Sequence, residues 1–232
     1  CRFDSERESV VALAISHYVE RLALNLEFAI RPDADATDED LIDGVGVAIH
    51  HVDRFHSRNS PFFMMVNYWG PHGPTFVPTD FVEPYRDTAI PPWPNFTDPL
   101  VNKPRIHNAK RNRKADWAHF ADHLRYYYGF VSLIDYQIGR LLSYLRQQDL
   151  YDNTWIIFAA DHGDSMGIHA GLCDKSIFMY EETVTIPLII KPPGSPALGR
   201  RETRFANTTD IYSTVLDIAG VPKDQQRRDG RS

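Results

Sequence analysis

Two apolar runs of strand length bracket the most polar loop of the chain. The first is residues 154–160, TWIIFAA; the second is residues 186–190, IPLII. Short, largely β-branched apolar runs bounded by polar and turn residues read as buried strands. Between them stand Asp161, His162, Asp164, His169, Asp174 and Lys175, beginning where the first strand ends. A third run, FFMMVNY at 62–68, is apolar at alternate and intervening positions alike, as a central parallel strand must be. The turn Trp69-Gly70-Pro71-His72-Gly73-Pro74 follows it directly. The longest amphipathic pattern covers residues 120–150, where Leu124, Tyr127, Tyr128, Val131, Ile134, Ile138, Leu141, Leu142 and Leu145 form one apolar stripe at helical spacing. Asp135 lies among these apolar neighbours and is expected to be a buried hydrogen-bonding group. A long helix followed by Asp152-Asn153-Thr154 and a buried strand is half of a βαβ unit.

The rest of the pattern is weaker. Val11, Ala14, Ile15, Tyr18, Val19, Leu22 and Leu26 recur at three- and four-residue steps, which predicts a helix over residues 4–30. An acidic loop over 33–40 leads to a helix over 41–55, with Thr37 or Asp38 as N-cap. Residues 74–118 are rich in proline and read as a long irregular excursion that shapes a pocket. Residues 207–219 read as a helix capped by Thr208, Thr209 or Asp210, with Gly220 past its end. The fold expected is α/β: one domain over residues 1–232, a mostly parallel central sheet flanked by helices, with residues 1–40 the part the pattern places least.

Composition narrows the partners. With 232 residues and 43% apolar content the chain is long and apolar enough for one sizeable core. The net charge is -6, with Lys and Arg scattered among the acids, so nucleic acid is not an expected partner. The basic run Lys110, Arg111, Arg113 and Lys114 reads as a solvated surface. No apolar run reaches membrane-spanning length. Cys1 and Cys173 make no disulfide framework. The chain starts on Cys rather than Met and shows no signal peptide, and it reads as an internal piece of a longer protein. Asn95-Phe96-Thr97 and Asn207-Thr208-Thr209 fit the glycosylation acceptor pattern.

The chemistry concentrates beyond the strand ends, where open α/β sheets bind ligands. Asp161 and His162 are neighbours at a turn, since Gly163 follows, and a turn lets adjacent side chains converge. A carboxylate beside an imidazole suits a divalent cation, although two ligands do not complete a site. Lys175 reads either as a surface lysine or as a contact for a sulfate or phosphate group. His72 reads either as a turn residue or as an imidazole held in one orientation by its proline and glycine frame.

These segments together resemble the formylglycine-dependent sulfatases of the alkaline-phosphatase-like superfamily. The resemblance rests on Asp161-His162-Gly163-Asp164, Met166-Gly167, His169, Gly171-Leu172, Asp174-Lys175, Met179-Tyr180-Glu181-Glu182 and Ile186-Pro187-Leu188-Ile189. Pro61-Phe62-Phe63, Pro71-His72-Gly73-Pro74, Tyr127-Tyr128-Gly129, Gln137-Ile138-Gly139-Arg140, Asp210-Ile211-Tyr212 and Gly230-Arg231-Ser232 extend it over roughly residues 40–232. It implies a sulfuric ester hydrolase acting on an alkyl, aryl or carbohydrate sulfate. Asp161 and His162 match metal ligands, normally of Ca²⁺, with Mn²⁺ or Mg²⁺ as substitutes. Lys175 matches the lysine on the sulfate and the leaving oxygen. His72 matches the histidine beside the scissile ester, a proton donor. His169 matches a substrate contact near the pocket, although His169-Ala170-Gly171 carries one residue more than the commoner pattern.

The nucleophile of that family is a formylglycine made from the Cys or Ser of a Cys/Ser-x-Pro/Ala-x-Arg motif, and neither Cys1 nor Cys173 begins one. The paired aspartates that complete the metal site, and the lysine and histidine after the nucleophile, are missing too. The first strand and the nucleophile are therefore expected upstream, along with the formylglycine-generating machinery as a partner of the intact protein. The 232 residues alone are expected to be inactive. Two other readings stay open: a phosphonate monoester or phosphodiester hydrolase of the same superfamily, and a non-catalytic sulfatase-like protein. No Asp has a His four residues later, which argues against a two-zinc phosphoesterase. The family favours an exported or lumenal home, and oligomeric state is not legible.

Overall fold

The structure is a computed structural model that describes residues 9–15 as backbone, and residues 48–50, 52–53, 62–112, 116–194, 199–221 and 229–232 in full. Four strands form one sheet in the order β2-β1-β3-β4: β1 (Ser9–Ile15), β2 (Phe63–Tyr68), β3 (Thr154–Ala160) and β4 (Leu188–Lys191). β1 runs parallel to both β2 and β3, and β4 closes the edge antiparallel to β3. The register puts the site at one end of the sheet. Ile15 pairs with Tyr68 on one side and with Ala160 on the other. The carboxyl ends of β2 and β3 are thus level and lie about 10 Å apart, two strand spacings across β1.

Above the sheet lies the long helix α1 (Trp117–Gln147). Asp116 caps it by accepting the His119 N–H at 3.0 Å. Its Leu141 and Leu145 are fully buried against Met64, Val66 and Ile156 of the sheet and Ala48 and Val52 before it. At the other end of the helix, Phe120 and Leu124 pack toward the polar loop after β3. The second helix, α2 (Thr208–Ile218), is capped by Asn207, whose side chain accepts the Thr209 N–H, while Asp210 reaches back to the Asn207 N–H at 2.9 Å. The Arg231 N–H donates to Asp210 at 2.7 Å, so the last residues fold back on the start of α2.

Several expectations change. Residues 9–15 are strand, not helix: a continuous apolar run satisfies either period, and pairing with strands on both sides decides it. The rest of the expected 4–30 helix, and Thr37 and Asp38, lie outside the described residues. The cap of α2 is Asn207, one residue ahead of the three candidates. β4 is not buried. Ile189 is 61% exposed, because this strand is the described sheet's edge and only one side of it is paired. Asp135 is exposed, as is Val131, since the buried face of α1 runs here through Ile134 of the expected stripe, with Leu133 and Gln137 beside it. Residues 74–118 are less irregular than their prolines imply, with short helices at Thr79–Val82 and Arg105–Lys110.

Candidate functional site

β2 delivers His72 and β3 delivers Asp161 and His162 to the same end of the sheet. After β2 the chain turns against α1: Gly70 lies so close to Phe130 that a Cβ there would stand 2.2 Å from the ring. His72 is half-buried, edge-on to Trp69 at 6.0 Å, with Nδ1 2.6 Å from the Gly73 carbonyl. A carbonyl only accepts, so Nδ1 carries the hydrogen and Nε2 carries the lone pair.

Asp161 and His162 converge as a turn allows. The His162 backbone N–H donates to Asp161 Oδ1 at 2.9 Å, and His162 Nδ1 donates to the Gly163 carbonyl at 2.8 Å. That second bond sets the tautomer and leaves Nε2 as the donor atom, 3.8 Å from Asp161 Oδ2. This separation is beyond a hydrogen bond and matches two ligands sharing one cation. The pair fits a divalent ion, and among the described residues no set of three or more His, Cys, Asp or Glu side chains completes a cage.

Gly163 is where loop meets loop. Its N–H donates to the Thr183 carbonyl at 3.0 Å, and a Cβ would stand 2.0 Å from the Glu182 carbonyl oxygen. Gly163→Ala is therefore expected to push Asp161 and His162 off the 181–184 turn. The cost is about 1–3 kcal/mol, as for an overpacked site. It would register as a lower urea midpoint together with weaker Ca²⁺ binding; an unchanged midpoint would mean that the loops part freely.

Beyond Gly163 the backbone is unusually strained. Met166, His169, Ala170, Asp174 and Ser176 all have positive φ, at 44°, 45°, 65°, 62° and 47°. Such residues persist where surrounding contacts over-determine them. Those contacts come from residues 93–112, which lie across the loop as a strap. Trp93 Nε1 donates to the Met166 carbonyl at 2.8 Å, and the Asn112 N–H donates to the Gly171 carbonyl at 2.8 Å. Phe120 fills the space beside Gly167. Lys175 is half-buried in this loop; its N–H donates to Asp174 at 2.6 Å and its carbonyl accepts the Phe178 N–H at 3.0 Å.

His169 meets partners the sequence did not announce. Its Nδ1 is 2.8 Å from Asp98 Oδ2 and its Nε2 is 3.3 Å from Asn95 Nδ2; its ring stacks on Tyr180 at 3.9 Å. The His169 hydrogen bond holds the Asp98 carboxyl below the usual carboxylate range. A carboxyl whose pKa falls on folding stabilises the fold above its unfolded value. That contribution is lost as the pH drops below the ordinary carboxylate range. Only the proline-rich character of the strap pointed toward these residues.

A cavity of about 520 Å³ lies between strap, α1 and loop, lined by Trp93, Asn95, Tyr127, Tyr128, Asp164 and Glu182 among others. Burial raises the Asp164 carboxyl. Burial, then the nearby Asp164 charge, pushes the Tyr127 hydroxyl up to about 12. The Cys173 thiol is raised by burial and by Asp164 and Asp174, so it is held protonated and is a poor nucleophile.

The family model described as Sulfatase matches residues 27–221. The "uncharacterized sulfatase YidJ" of Escherichia coli K12 is 31% identical over 171 residues, covering 72% of this chain and 33% of that protein. An arylsulfatase of Clostridium perfringens is 28% identical over 188 residues, covering 72% and 36%. The solved phosphonate monoester hydrolase of Agrobacterium radiobacter superposes with a TM-score of 0.68 at 25% identity, covering 81% of this chain and 40% of that one. The chain thus spans about a third of the length of the curated relatives it matches.

Proposed function

Because the chain belongs to the sulfatase family, we propose that it forms part of a sulfuric ester hydrolase that cleaves a sulfate monoester. The observation that carries this reading is the shared register: His72, Asp161 and His162 all emerge beyond the level ends of two strands flanking β1. Asp161 and His162 would hold a divalent cation, Ca²⁺ first, through an exposed carboxylate and an imidazole with a fixed tautomer. The cation would neutralise charge on the sulfate oxygens. Lys175 places a second positive charge for the same oxygens and for the leaving oxygen. His72, its Nδ1–H held on the Gly73 carbonyl, would serve the departing alcohol through Nε2, giving up a second proton taken on there. The formylglycine, supplied by residues outside these 232 together with the remaining metal ligands, would provide the nucleophile. His169 reaches a substrate only by giving up Asn95 or Asp98, since both ring nitrogens are engaged.

The similarity to a phosphonate monoester hydrolase supports a second reading, hydrolysis of phosphonate monoesters by the same residues. Rates on p-nitrophenyl sulfate and p-nitrophenyl phenylphosphonate, measured with the longer protein, separate the two. The sulfate is expected to turn over faster. A faster phosphonate would reverse the order, and turnover of neither would leave a binding protein. Ca²⁺ binding by the longer protein, which supplies the remaining ligands, tests the pair. Asp161→Asn is expected to weaken it by at least about tenfold, the loss that even an outer-shell partner gives, in a calorimetric titration; equal affinity would remove Asp161 from the site.

A further inference from the structure

The strained loop that carries His169 and Lys175 is bonded to the strap through one continuous chain of hydrogen bonds, and its proton positions follow from chemistry. Asp98 Oδ2 is an acceptor, so the hydrogen at the 2.8 Å contact belongs to His169 Nδ1. His169 Nε2 then carries a lone pair and accepts from the Asn95 amide nitrogen at 3.3 Å. The other hydrogen of that nitrogen goes to Glu182 Oε1 at 3.1 Å. This polarity fixes the Asn95 amide: its nitrogen faces His169 and Glu182, and its Oδ1 is left buried with no hydrogen-bond partner among the described residues. A buried unpartnered amide oxygen is costly and calls for an explanation.

The explanation lies in a second protonation state. If Nε2 gains a hydrogen, it faces the Asn95 N–H groups donor to donor. Turning the amide over puts Oδ1 on the new Nε2–H and removes the donor from Glu182. We propose that Asp98 and Asn95 are positioning residues that act through His169: they clamp the candidate-site loop to the strap, and protonation of His169 at Nε2 releases Glu182 from that clamp. The proposal rests on the sulfatase reading only in giving the loop, with Lys175 in it, a catalytic purpose.

The geometry explains why the clamp is needed. His169 sits at φ 45°, ψ 62° and Ala170 at φ 65°, ψ 34°, both left-handed without being glycine. Two bonds to the His169 ring, with Tyr180 stacked on its face, hold that conformation. Each group facing the ring comes from a different part of the fold. Asp98 belongs to the strap and lies on Nδ1. Tyr180 precedes the 181–184 turn; its hydroxyl is 2.8 Å from His107 Nδ1 and its ring has Lys103 Nζ at 5.2 Å. Glu182 lies beyond Asn95. A second proton on His169 is thus met by two carboxylates and one ammonium, and the amide between them can reverse without moving backbone.

Two measurements on the ¹⁵N-labelled chain test this, neither of which needs substrate. Imidazole ¹⁵N spectra should show His169 as the Nδ1–H tautomer at pH 8. The Asn95 side-chain NH₂ signals should shift and exchange of the 181–184 amides should speed up as His169 gains a second proton, while exchange of the 166–176 amides stays slow. Asp98→Leu should speed that exchange about tenfold at every pH, the loss of a hydrogen bond to a charged group. Asp98→Asn keeps an acceptor for Nδ1–H and should restore most of the protection. Asn95→Leu should leave 181–184 exchange that no longer depends on His169. Amides of β3 and α1 report whether each variant is folded. An Nε2–H tautomer at pH 8, Asn95 signals indifferent to His169, or unchanged pH dependence in Asn95→Leu would each overturn the clamp.

Discussion

Lys175→Ala is expected to lower kcat on an aryl sulfate about 10²–10³-fold in the longer protein, the usual loss when one preorganised charge stabiliser is removed. The backbone gives the Lys175 side chain a single point of departure. Lys175 sits between Asp174 and Ser176, both left-handed, with its N–H on the Asp174 carboxylate and its carbonyl on the Phe178 N–H. The chain cannot slide to bring a neighbouring group into its place. KM should change less than kcat, because charge on the leaving oxygen grows only in the transition state. Lys175→Arg should recover only part of the rate, since a planar fork does not replace a compact ammonium. The thermal midpoint should hold, as Lys175 is only half-buried and its backbone bonds survive truncation. Activity within about tenfold of the parent would fall short of the charge-stabiliser range and take Lys175 out of the mechanism.

The largest stability effect is expected at Phe178, three residues on. Its side chain is 1% exposed, edge-on to His107 at 5.1 Å, and its carbonyl accepts the Thr183 hydroxyl at 2.8 Å. It ties the strap helix to the end of the candidate-site loop from inside. Phe178→Ala should cost about 3–5 kcal/mol, transfer plus cavity. At roughly 2–4 °C per kcal/mol for a chain of this size the midpoint should drop by roughly 6–20 °C. The adjacent Met179 is 79% exposed, and Met179→Ala should stay within about 0.5 kcal/mol. Equal effects at the two positions would mean that the loop packs on nothing. Phe178→Leu, which refills most of the space, should recover most of the loss.

The two predictions sit on opposite sides of what was readable. The β3 run, seven residues of which all but Thr154 are apolar, declares the strand, because burial on two faces demands a nearly unbroken apolar stretch. The α1 stripe was readable for the same reason, and its exposed Val131 and Asp135 show how far a stripe drifts over 31 residues. Lys175 was legible through motif spacing alone. Asp98 and Asn95 were not, since polar residues in a proline-rich segment carry no period and His169 lies 71 and 74 residues away; Glu182 stood in the motif, but its bond to Asn95 could not be read there.

By itself, the order of residues determined the strand–loop–strand frame, the long helix and the adjacency of Asp161 and His162. Those are local matters, decided by apolar period and by a glycine at the turn. Tertiary structure decided the rest. Residues 9–15 become strand because β2 and β3 offer paired edges on both sides. β4 stays exposed because among the described strands it has a partner on one side only. His72 comes to the same end of the sheet as Asp161 and His162 because two strands end level across a third. The left-handed stretch from Met166 to Ser176 survives because a strap from elsewhere in the chain holds it. Each depends on a contact between distant segments, and the energy of such a contact appears only once the chain has folded.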